Sequence, residues 1–78
     1  MLKIILSSTL RKYLPDYDPV KGVDFTIEVK LTVTELCRQL GIPPDEVKII
    51  MVNGKSKGFD YLMQGDERIG LFPPVGGG

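Results

Sequence analysis

Residues 32–41 read TVTELCRQLG, and this stretch decides the fold. Thr32 and Glu35 have capping-box spacing, so the threonine hydroxyl can accept from the Glu35 amide while the glutamate reaches back to Thr32. Val33, Leu36, Cys37 and Leu40 then fall at i, i+3, i+4 and i+7, one apolar face of a helix. Gly41 supplies a left-handed stop, and Pro43-Pro44 prevent the helix from resuming. The result is a helix of about two turns, a length at which isolated helices do not persist in water. Its apolar face needs a surface to bury against, and the rest of the chain must provide it.

On the amino-terminal side, LKIILS at 2–7 is apolar at nearly every position, as in a central strand flanked by others. Leu10, Tyr13 and Leu14 have one-turn helical spacing before Pro15, Asp16, Asp18, Pro19 and Gly22 impose a loop. From Val23 to Lys30 the pattern alternates, with Val23, Phe25, Ile27 and Val29 on one side. This predicts a half-exposed strand near a sheet edge. On the carboxyl side, VKIIMV at 47–52 predicts a strand ending in the Asn53-Gly54 turn. Its parity stays open: either Ile49 and Met51 or Ile50 and Val52 face the helix. Lys55 and Lys57 read as solvated turn residues, and 59–63 as irregular with at most one short strand. After Gly65-Asp66, RIGLF at 68–72 forms a last strand with Ile69 and Leu71 inward and Arg68, Gly70 and Phe72 outward. One short helix among several strands has one economical burial, against a single mixed sheet. The expectation is α+β: a β-grasp of four to five strands with the helix across one face. Residues 1–72 form the domain and 73–78 an extended, flexible carboxyl-terminal tail.

Composition removes several functions. The 78 residues suffice for one small domain, and the apolar share of 42% is that of a folded chain. Ten basic and ten acidic residues cancel without a block of either sign, so no nucleic-acid partner is expected. Histidine is absent and there is one cysteine, which leaves no disulfide, no metal cluster and no nucleophile–histidine pair. No glycine-rich phosphate loop appears. The opening MLKIILSSTLRKYLP is too short for a membrane span. A soluble cytoplasmic protein, monomeric when free and not an enzyme by itself, is the expectation. Cys37 lies on the apolar helix face and reads as a core residue.

Four stretches carry a family resemblance: TVTELCRQLGIP, IIMVNGK, LMQGDERIGLF and the closing PPVGGG. In this order they resemble the ubiquitin-like sulfur carriers of the MoaD/ThiS type, across most of the chain from Thr32 onward. The resemblance implies that a ubiquitin-activating-type adenylyltransferase uses ATP to adenylate the carboxylate of Gly78. A sulfur donor then makes a thiocarboxylate, which serves a synthase large subunit in molybdopterin (or tungsten-pterin) synthesis. No cofactor is bound by the carrier itself. Phe72-Pro73-Pro74 before the glycines is nearer that branch than the thiamine-pathway carriers. A ubiquitin-like protein modifier would use Gly78 similarly, whereas a TGS-like β-grasp binding module would have no need of the diglycine.

The tail chemistry agrees with this reading. Five extended residues from Pro74 to Gly78 reach at most roughly 15–18 Å, at ~3.3–3.6 Å each. Gly76, Gly77 and Gly78 carry no Cβ to block a narrow channel. Pro73-Pro74 keep the tail from pairing as another strand. Phe72, Pro73, Pro74 and Val75 are the expected partner contacts, with Phe72 as an exposed aromatic anchor beside the reactive end. Arg68 reads equally as a solvated charge or as a partner's ion-pair group.

Overall fold

The first and last strands pair in parallel, and the other elements are arranged around that pair. The structure, a computed structural model, describes residues 1–74. In chain order β1 is Leu2–Leu6, β2 Val23–Phe25, β3 Leu31–Thr32, α1 Val33–Leu40, β4 Ile49–Val52, β5 Lys55–Lys57, β6 Leu62–Met63 and β7 Arg68–Phe72. Short 3-10 helices cover Ser8–Tyr13 and Pro44–Glu46. The main sheet runs β2-β1-β7-β4-β5, with β7 in the centre. Ile4 lies opposite Ile69 and Leu6 opposite Leu71 in the parallel ladder, and the other ladders are antiparallel. A separate two-stranded ladder joins β3 to β6.

Alternation then divides the sheet into two faces. Leu2, Ile4 and Leu6 of β1, Ile69 and Leu71 of β7, and Ile50 and Val52 of β4 point inward and are buried. They share one core with Val33, Leu36 and Cys37 of α1 and with Leu10, Ile42, Val47 and Met63. The helix forms as its residues dictate. The Thr32 hydroxyl accepts from the Glu35 amide at 3.2 Å, and the Glu35 carboxylate accepts from the Thr32 amide at 3.1 Å. Gly41 closes it at φ 76°. Asn53 and Gly54 at φ 51° and 83° make the tight turn between β4 and β5.

Two expectations need correction, and one strand was not anticipated. The alternating run at 23–30 is a strand only over Val23–Phe25. Phe25 already pairs with Leu2, where β1 begins, so nothing remains for the following residues to bond. Ile27 still packs at the core margin, but Val29 is 69% exposed. Lys55 and Lys57 are exposed, as expected of them, yet belong to an edge strand, where lysines discourage further pairing. The two-residue β3, too short to show a period, had no separate signal.

The long connection between β1 and β2 is tied down at both ends. The Leu6 amide donates to the Tyr17 hydroxyl at 2.8 Å, taking a partner that β2 is too short to supply. Gly22 passes so close to β1 that a Cβ there would lie 2.6 Å from the Ile4 carbonyl oxygen, and its φ is 72°. Gly41 has a similar φ but open space around it. Gly41→Ala should therefore cost only the left-handed strain, roughly 1–2 kcal/mol. Gly22→Ala should cost clearly more, because the backbone of β1 or of the loop must move as well. Urea denaturation of the two variants checks the order.

Candidate functional site

The last strand leaves the sheet at its middle. At that end the Ser7 amide donates to the Leu71 carbonyl at 3.1 Å and the Lys48 amide to the Phe72 carbonyl at 2.8 Å. The chain is thus held to Leu71 on one side and to Phe72 on the other, and the next residue, Pro73, has no amide to continue the ladder. Pro73 is half-buried and Pro74 exposed, both outside regular structure. Val75, Gly76, Gly77 and Gly78, which the sequence marks as tail and reactive end, lie outside the described residues.

The sheet face opposite the helix carries Lys3 and Ile5 of β1, Ile49 and Met51 of β4, and Arg68, Gly70 and Phe72 of β7. The parity of β4 is settled by burial: Ile50 and Val52 point inward, while Ile49 is 43% exposed on the open face. Ile49 lies opposite Phe72, and Met51 opposite Gly70. Phe72 points outward as the alternation predicts, at 36% exposure. Its ring folds back over Gly70, where a Cβ would come within 3.2 Å of the Phe72 Cε1. An aromatic ring laid on a glycine of a neighbouring pleat covers backbone that has no side chain of its own. Gly70 as the seat of that ring is a residue sequence reasoning passed over. Its only sign is a glycine two positions before an aromatic in a strand.

Comparison with known proteins agrees with this geometry. Residues 1–76 match the family described as Mut7-C ubiquitin. The chain belongs to the Mut7-C ubiquitin family. The crystal structure of SAMP1 from Haloferax volcanii is similar at 20% identity and TM-score 0.67, covering 99% of this chain and 98% of that one. This likeness shows the ubiquitin-like β-grasp fold, the architecture expected from the sequence. No curated protein matches the chain.

In this Mut7-C ubiquitin chain the titratable groups serve the scaffold. Cys37 is fully buried, and burial pushes its thiol up to about 11, so it is neither thiolate nor accessible at neutral pH. No cluster of three or more metal-ligating side chains occurs among the described residues, nor is any of their helices long and apolar enough to cross a membrane. Glu67 is the one buried charged residue among them. Its carboxylate accepts from the amides of Gln64 at 2.8 Å, Gly65 at 2.9 Å and Asp66 at 3.2 Å, and from the Tyr61 hydroxyl at 2.9 Å. Its own carbonyl accepts from the Lys3 amide at 3.0 Å, which starts the β1–β7 ladder. Burial alone would raise its pKa, but the Gln64 and Gly65 amides and the Tyr61 hydroxyl outweigh that and hold it low. The bond from Thr32 similarly lowers Glu35.

Because the folded pKa of Glu67 lies below its ordinary 4.5, its stabilisation is present above that value and is lost as pH falls through the folded pKa. Glu67→Gln should lower stability at pH 7 by about 1.5–3 kcal/mol, the range for hydrogen bonds to a charged group. It should also flatten the acid limb of the stability curve. Chemical denaturation from pH 3 to pH 7 measures both; an unchanged acid limb would assign the pH dependence elsewhere.

Proposed function

We propose that this chain is a ubiquitin-like sulfur carrier whose Gly78 carboxylate is activated and converted to a thiocarboxylate. The observation that carries the reading is the run PPVGGG following directly on the central strand, at the point where flanking amides hold Leu71 and Phe72 and the prolines end pairing. A fixed root and a narrow, glycine-ended tail are what a second protein's active site needs if an acyl carbon is to reach it. In the proposed step the Gly78 carboxylate attacks the α-phosphate of ATP within an adenylyltransferase, releasing pyrophosphate. A sulfide-level donor then adds to the acyl carbon, and AMP departs with the oxygen that linked it. The synthase large subunit that accepts the sulfur belongs, on this reading, to molybdopterin-type (or tungsten-pterin) synthesis, the branch to which Phe72-Pro73-Pro74 is nearer. The chain contributes no catalysis of its own, works in the cytoplasm where ATP is at hand, and is monomeric between encounters.

Incubation with the cell's own adenylyltransferase, ATP and sulfide should raise the intact mass by the difference between one sulfur and one oxygen. Deleting Gly78, or extending the chain beyond it, should abolish that gain while the circular dichroism spectrum stays the same. An unchanged mass for the unaltered chain, with a known carrier converted alongside by its own enzyme, contradicts the proposal.

The open face is the proposed docking surface, with Phe72 as its anchor beside the tail. Phe72→Asp places a carboxylate where the partner would have to desolvate it. It should weaken adenylyltransferase binding at least tenfold, about 1.4 kcal/mol, with a cooperative melt retained. Normal binding by the folded variant would move the docking surface off this face.

A further inference from the structure

The open face is not uniform. Because position 70 has no side chain, a recess of about 230 Å³ opens over the central strand, lined by Ile5, Met51, Gly54, Arg68, Gly70 and the Phe72 ring. Its lining is mostly apolar, with the Phe72 ring lying against Gly70. At this size, open to solvent on one side, it matches a single side chain and falls short of a small-molecule cavity of about 300–1,000 Å³. The charges around it are unequal. Lys3 is neutralised by Asp24 at 2.7 Å on the neighbouring strand. That bridge is the only ion pair among the described residues, so the exposed Arg68 guanidinium has no carboxylate partner there. The face therefore offers an apolar hole with one uncompensated cation at its rim.

We infer that this recess receives one apolar side chain of a protein partner that carries an aspartate or glutamate beside it, the carboxylate pairing with Arg68. The spacing follows from the strand. Arg68 and Gly70 lie two residues apart on one face, about 6.5–7 Å by the strand rise. The partner's carboxylate stands at that distance from its apolar side chain. It is either two positions away in an extended segment or one turn away on a helix, where neighbouring Cβ atoms are about 5–6 Å apart. The apolar contact supplies an anchor in a pocket, and the Arg68 pair fixes which partners are accepted and in what register. This assignment rests on the proposed docking role of the open face and is independent of the chemistry at Gly78.

The test is a random peptide library displayed against the immobilised full chain. Enriched peptides should share an aliphatic or aromatic residue with Asp or Glu two, three or four positions from it. Arg68→Glu alters an exposed side chain without internal partners, so that variant should fold, bind the enriched peptides at least tenfold more weakly, and regain binding when their acid is replaced by lysine. Gly70→Leu, whose side chain must displace the Phe72 ring and enter the recess, should weaken the same peptides, and the Gly78-deleted chain should bind them undiminished. Failure of enrichment, enrichment without the acidic residue, or indifference to Arg68→Glu would overturn the inference. Because deletion of Gly78 is silent in this assay, such a failure leaves the sulfur-carrier proposal standing, and loss of thiocarboxylate formation leaves the recess assignment standing.

Discussion

The parallel pairing of β1 with β7 is the constraint on which the structure depends. A parallel pair cannot be closed by a tight hairpin, so the whole intervening chain has to leave and return. That excursion carries the helix across one face and places the final strand at the centre of the sheet. Once there, β7 has neighbours on both sides, and its backbone bonds are held from Lys3 at one end to Lys48 at the other. Glu67 secures the entry to this strand: its carboxylate gathers the turn at 64–66 while its carbonyl takes the Lys3 amide. A charged group so deeply placed is stabilising only because every approach to it is a donor.

That arrangement makes the two faces of the sheet unlike. The inner face is closed by α1, and its side chains, including Cys37, are used up in packing. The outer face has no covering element among the described residues, yet it holds Ile5, Ile49 and Met51, and the Phe72 ring lies against Gly70. Leaving apolar groups in water opposes folding in no large way, but it yields nothing to the isolated domain. A surface of this composition gains its energy when a second protein covers it. Pro73 and Pro74 follow β7 at the edge of this same surface, so the proposed docking face and the proposed tail are neighbours.

Much of this was legible in the residues. The helix could be read because its cap, period and stop agree, and Thr32, Glu35 and Gly41 take the roles their types suggest. The last strand was equally clear from Ile69 and Leu71 alternating with Arg68, Gly70 and Phe72. What failed did so for reasons outside local sequence. Ile27 and Val29 alternate like strand residues, but a strand needs a partner, and β1 had run out by Leu2. The parity of β4 could not be read because both its faces are apolar; the ladder to β7 decides it. Glu67 and Gly70 were silent because their meaning lies in what surrounds them: three amides and a hydroxyl in one case, a folded-back ring in the other.

The central claim is that the open face and the tail root form one functional surface, distinct from the face that holds the fold together. Methyl-selective NMR of the full chain during titration with the adenylyltransferase measures this directly. The account predicts that the methyl signals of Ile5, Ile49 and Met51 shift or broaden together, while those of Leu36, Ile42 and Met63 beneath the helix stay in place. Perturbation of the helix-side methyls with the open face unchanged, while the complex forms, would contradict it.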